Sequence, residues 1–338
     1  MLDTDIKTYH AAEVSALATN GGRMSVNQVI SGVVNNVWPH VPRAERLAGA
    51  VLHRKLFDKA ADDTDGTLLA TQKWIDRPTL GEDRIVAFAG TQTDTQADIT
   101  GNERKYGAAY LKTDIAAGVS TFVVTVEDAA LASGTDAIFQ DGDPIRLTNM
   151  ATPDAATGTE EFLTISGAPT VLGLDVTITV AEVIANPYTV VGESRAMSIM
   201  DKGDIACSVE NFQVTAAGTG AYDNINYPVI CDNIGTVEDS ITLQFTDATH
   251  FNVIGSSGIA YGSGDTATDF SPSNPDFTKP YFTLEAAGFS GIFAAGDAIT
   301  WDIHPAAFAY WLRRTVPAGC ASLANNKLTA VTAGESAV

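Results

Sequence analysis

Near its C-terminal end the chain reads WDIHPAAFAYWLRRTVPAG, residues 301–319, gathering an aspartate, a histidine, two tryptophans and an arginine pair. Asp302 and His304 share strand parity, so the carboxylate could orient the imidazole on one face. Catalysis by such a pair needs a nucleophile or a metal beside it, and no recognisable one accompanies them. The five histidines, His10, His40, His53, His250 and His304, lie far apart and never fall in HExxH or HxH spacing, which gives zinc no ligand set. There is no GxxxxGK[ST], no GxGxxG after a strand and no GxSxG elbow. In DDTDGT, Asp63, Asp65 and Gly66 match the third, fifth and sixth places of a calcium loop. Ala61 and Gln72 fill its first and twelfth, so the bidentate carboxylate is missing. Glu160 and Glu161 are adjacent and point to opposite faces of a strand, unsuited to paired acid–base work.

The same C-terminal stretch reads more fully as structure. Trp301 and Ile303 alternate with Asp302 and His304, Pro305 breaks the strand, and Phe308, Tyr310 and Leu312 resume a second strand opposite Ala309, Trp311 and Arg313. A structural strand pair is expected. Arg313 and Arg314, a basic pair in an acidic half, then become candidate partners for carboxylates of an adjacent subunit, with Trp311 beside them. The Gly, Ser and Asp-rich stretch GSSGIAYGSGDTATDFSPSNPD is longer than an ordinary connector. Read as a loop, it offers Tyr261 and Phe270 as further candidate subunit contacts.

At 338 residues and 45% apolar composition, the chain has material for two or three folded domains. Seven basic residues meet five acidic ones over 1–60, whereas thirteen meet thirty-six over the remainder. Stable nucleic-acid binding is excluded by the absence of a basic stripe after residue 60. An acidic surface suits solubility at high local concentration, or a wall that DNA must pass without sticking. Cys207, Cys231 and Cys320 show no metal-type spacing and read as buried thiols in a reduced compartment, although one pair could bridge. MLDTDIK lacks the features of a secretory signal, and no apolar run reaches a membrane span. A soluble cytoplasmic product without membrane insertion is expected.

Helical periodicity is confined to PRAERLAGAVLHRKLF, residues 42–57, and even there HRKLFDK can alternate as a strand. The Gly and Asn-rich segment before it reads as an extended arm. From about residue 83 the pattern has period two in short runs such as RIVAFAG, STFVVTV, DVTITV and SITLQFT, bounded by turn residues. The expected fold class is mainly β, multidomain, of β-sandwich and β-barrel units, with a short helical segment and extended arms near the N-terminus. The expected division is an N-terminal arm and β-rich domain over 1–112, a small barrel-like domain over 113–200, a sandwich over 201–320 and a C-terminal arm over 321–338. That arm either adds a strand to a neighbouring chain or frays.

SGVVNNVWPHVPRAERLAG with RKLFDK, GTQTDTQADITGNERKYGA, PYFTLEAAGFSG, GDAITWDIHPAA and WLRRTVPAG together resemble virion structural proteins of tailed bacteriophages. The resemblance spans most of the chain and carries no catalytic motif, cofactor or functional residue. It implies a non-enzymatic virion component. A tail-tube subunit would form stacked homo-oligomeric rings, contact other tail proteins and let DNA pass without stable binding. A contractile sheath subunit, with its usual mixed α/β core, fits the strand-dominated second half less well, and baseplate, capsid-associated or fibre roles stay open. Two other classes compete: a glycan-cleaving enzyme, with Asp302 as its first candidate, and a receptor or carbohydrate-binding module with Trp and Tyr on one face.

Overall fold

The computed structural model describes residues 2–324 and 326–337. Met1, Asn325 and Val338, the last two within the expected C-terminal arm, lie outside the described residues. Strands dominate because apolar side chains recur at every second position. Buried and more exposed positions alternate along Asp239–Phe245, His250–Gly255 and Ala298–His304. The chain is mainly β and is built from several sheets, as the period-two runs predict.

Two sheets made from both ends of the chain form a sandwich. The larger has five antiparallel strands in the spatial order Gly21–Gln28, Ile6–Glu13, Ala50–Ala60, Ala307–Val316 and Arg84–Ala89. The smaller places Leu68–Ile75 between Met200–Ile205 and Ala330–Ser336. Leu56, Ile75, Met200, Phe308, Tyr310 and Leu312 share one core. Each fully buried Leu or Phe there stabilises by roughly 1.5–3 kcal/mol. Inside the same sandwich Lys73 Nζ donates to Asp58 Oδ2 at 2.7 Å, and Thr8, Tyr310 and Thr332 hydroxyls donate to the same carboxylate.

The helix predicted over 42–57 is only Arg43–Ala48. Gly49 ends it with φ +81°, and a Cβ there would stand 3.3 Å from the Val316 carbonyl oxygen. From Ala50 the alternation wins. Leu56 enters the sandwich core, while Phe57, on the other face, packs with Ala11 and Ala309.

A second sheet has seven strands in the order Thr170–Leu172, Asp175–Thr179, Thr121–Thr125, Ala108–Leu111, Arg195–Ser198, Pro144–Thr148 and Glu160–Thr164. Its ends curl together through the Ile165–Val180 bridge and the flanking Ser166 and Ala181 N–H donors. This stops short of a fully laddered barrel. Val124, Ile145, Leu147, Val176 and Ile178 fill its interior. The third large sheet orders Ser208–Thr215, Ala298–His304, Asp239–Phe245, His250–Gly255 and Ala260–Asp265, with an aromatic core that includes Tyr222, Phe282, Phe293 and Trp301.

Sheet membership corrects the expected boundaries. Ala108–Leu111 already belongs to the seven-stranded sheet, whereas Met200–Ile205 returns to the sandwich. Ala307–Val316 leaves the unit expected over 201–320 and pairs along its length with Ala50–Ala60, so it does not pair with Ala298–His304. Pro305 separates strands of different sheets. The tail neither frays nor leaves the subunit in the region described: Ala330–Ser336 pairs with Leu68–Ile75 of its own chain, and Val331 and Ala333 pack near Trp74 and Met197.

Candidate assembly surface

The segment from Val14 to Val51 combines an open sheet edge with exposed apolar side chains. It begins on the hairpin of Ile6–Glu13 with Gly21–Gln28, whose outer strand becomes exposed at Val26, Asn27 and Gln28. Beyond the Gly21–Thr95 bridge, no strand among the described residues covers that outer edge. Such an edge presents unpaired backbone groups to another chain. The loop that follows is pinned at Trp38, which is buried in the sandwich core, with the Arg314 guanidinium 5.8 Å from its ring centroid. Along this segment Leu17, Ile30, Val33, Val34, Leu47 and Val51 are each more than half exposed, Val34 reaching 72%.

Between residues 14 and 51, Arg23, Arg43 and Arg46 meet a single acid, Glu45. Elsewhere Asp63, Glu193, Glu210 and Asp247 hold well-exposed carboxylates. Arg23 Nη2 lies 3.9 Å from Asp239 Oδ1 of the same chain, which leaves Arg43 and Arg46 as the arginines that could meet carboxylates of another molecule beside the exposed apolar side chains.

The five residues singled out from sequence as subunit contacts are engaged inside the chain. Arg313 grips Asp136 with two hydrogen bonds of 2.9 and 2.7 Å, and Arg314 Nε donates to Asp83 at 2.8 Å. Trp311 is fully buried, stacks on Phe88 and donates from Nε1 to Asp94 at 2.7 Å. Tyr261 donates to Asp239 at 2.9 Å, and Phe270 packs edge-on against Phe251. The long loop read over 255–276 contains the strand Ala260–Asp265, which turns Tyr261 into the core. Strand parity separated Trp311 and Arg313 from Tyr310 and Leu312, but it could not reveal that the carboxylates facing the arginines lie in the same chain. Sequence reading missed the exposed Val33, Val34 and Leu47. For the two valines the signal was apolar type without periodicity in a Gly and Asn-rich stretch, whereas Leu47 was read as part of the helical period of residues 42–57.

The aspartate and histidine of the C-terminal stretch do not form a catalytic dyad. Asp302 accepts from Asn211 Nδ2 at 2.7 Å; Asn211 lies in a β-bulge at φ +54°, and this contact with Ser240 holds the carboxyl below its ordinary range. His304 Nδ1 instead faces Glu238 Oε2 at 2.8 Å. The acidic turn at 62–67 is a docking joint: Asp62 caps Thr64 and Gly66, while Asp65 accepts from the Asn233 backbone at 2.7 Å. Among the described residues no group of three or more His, Cys, Asp or Glu side chains is placed to hold a metal ion. No helix among them is long and apolar enough to cross a membrane.

No family model and no curated protein matches the chain. Among solved structures, the phage phi92 endosialidase aligns at 10% identity and a TM-score of 0.19, over 82% of this chain and 48% of that one. The chain therefore spans about half the length of that endosialidase. The VP2 subviral particle protein of infectious bursal disease virus aligns at 10% identity and a TM-score of 0.10, over 87% and 82% of the two chains. At these scores neither alignment carries an argument about fold or activity.

Proposed function

We propose that this chain is a structural subunit of a tailed-phage virion, and within that class a tail-tube subunit that self-assembles into stacked rings conducting DNA. The reading rests above all on the Val14–Val51 segment, an apolar surface bearing arginines on a subunit of net charge −21. A surface of this kind fits a different, acidic face of a second copy. That contact is heterologous, and heterologous contacts close into rings or run on into filaments. The resemblance of the sequence to phage virion proteins supports the same reading, as does the excess of carboxylates, which disfavours retention of passing DNA.

Negative-stain electron microscopy and sedimentation of the purified chain, across concentration and salt, test the proposal. Hollow rings or tubes of fixed diameter are expected for the native chain. The double variant Val33→Asp, Val34→Asp should remain folded by circular dichroism and lose them. A native chain that stays monomeric at every concentration tested would exclude spontaneous tube formation. Rings that survive the double variant would move the assembly surface elsewhere.

A further inference from the structure

Cys207 immediately precedes the strand Ser208–Thr215, and Cys231 lies in the loop that returns beside it. Both are free thiols, and both line one surface cavity together with Asn224, Pro228 and Val229. The Sγ of Cys231 lies 3.5 Å from the carbonyl oxygen of Ser208, the residue after Cys207. The Cys207 N–H in turn donates to Asn233 Oδ1 at 3.1 Å, fixing the two backbone segments side by side. Each thiol perturbs the titration of the other, which places them as neighbours across this cavity. Cys320, at the far end of the Ala307–Val316 strand, takes no part in this cluster.

We infer that Cys207 and Cys231 form a redox site that small-molecule disulfides convert to an intramolecular disulfide. Both thiols line the same cavity, so either can open the exchange. Its thiolate attacks one sulfur of the reagent, forming a mixed disulfide and expelling one thiolate, which takes up the proton that the first cysteine lost. The second cysteine then loses its proton and attacks the first cysteine's sulfur. The bond to the reagent breaks, and the second expelled thiolate takes that proton. Two protein thiols are oxidised and one small disulfide is reduced to two thiols. The site does not depend on the assembly reading. If that reading holds, the thiols made in a reducing cytoplasm would close after release into oxidising surroundings.

The test is to incubate the full chain with oxidised glutathione and follow intact mass and peptide mapping. Expected is a loss of roughly 2 Da, the two thiol hydrogens, with the 207–231 linkage mapped and Cys320 still alkylatable. Cys207→Ser should trap a stable glutathione adduct on Cys231, and Cys231→Ser should trap one on Cys207. Adducts of the full chain without a 207–231 linkage, or bridges through Cys320, would overturn the inference. Since every readout is a mass on soluble protein, a failure of ring assembly leaves the test intact.

Discussion

Arg195 holds Asp76 twice, donating from Nε to its backbone carbonyl and from Nη2 to Oδ2, each at 2.7 Å. Arg146 Nη1 completes the clamp on Oδ1 at 3.0 Å, and all three side chains are almost wholly buried. Asp76 follows the sandwich strand Leu68–Ile75, while both arginines belong to the seven-stranded sheet. The clamp therefore fastens one unit to the other. Asp76→Asn leaves two guanidinium groups short of one buried counter-charge and is expected to cost about 3–5 kcal/mol. Urea denaturation checks this. A loss below about 1 kcal/mol would mean that water reaches the arginines.

Trp311 is fitted to glycine. A Cβ on Gly21 would stand 2.8 Å from Trp311 Cη2 and 2.9 Å from the Asp94 carbonyl oxygen, at φ +112°. Gly21→Ala is expected to cost about 1–3 kcal/mol by overpacking. Trp311→Phe removes both the Asp94 hydrogen bond and the ring that would clash, so the double variant should lose less than the sum of the two single losses. Thermal denaturation of the three proteins measures the coupling, and strict additivity would contradict it.

Burial pushes the Glu127 carboxyl up to about 7, despite the nearby Arg84. The folded protein then keeps a proton that the unfolded chain releases near pH 4.5. This group's contribution is fully present below pH 4.5 and is lost as pH rises to about 7. Glu127→Gln should flatten that part of the profile and raise the melting temperature at pH 8 by on the order of 2 °C. Parallel pH profiles of the two proteins would refute the assignment.

Thr332, in the C-terminal strand, donates its hydroxyl to Asp58 and accepts from Lys73 Nζ at 3.1 Å. Thr332→Val keeps the shape and removes both bonds, with an expected cost of about 1–3 kcal/mol. Thr332→Ser should retain most of the stability. Equal melting temperatures for the two variants would show that packing, not the hydroxyl, secures this strand.

The β class was legible because half-buried strands write their faces into alternating residues, as in FNVIG and SITLQFT. What stayed hidden is pairing. Trp311, Arg313 and Arg314 were read on a strand, but periodicity assigns faces and not partners, and their strand crosses to the one that contains Lys55 and Lys59. Those two lysines are almost fully buried, Lys55 paired with Asp94 and Lys59 donating to the Ile234 carbonyl. A lysine normally signals a solvated position, so HRKLFDK concealed a core strand. Arginines that seemed free to meet a neighbour already had Asp136 and Asp83, carboxylates distant in sequence. The exposed valines of the arm lack any period, and only their exposure distinguishes them from core.

Strand Ala50–Ala60 is hydrogen-bonded on one side to Ile6–Glu13 and on the other to Ala307–Val316. During synthesis the first neighbour is at hand immediately, whereas the second emerges only after roughly ten to fifty seconds at ribosomal speeds. The seven-stranded sheet and the sheet over 208–304 draw their strands from continuous stretches and can fold on emerging. The sheet that carries the Val14–Val51 segment must wait for Ala307–Val316 to emerge. Until Ala307–Val316 has emerged, the Val14–Val51 segment therefore rests on a sheet that lacks its central partner strand.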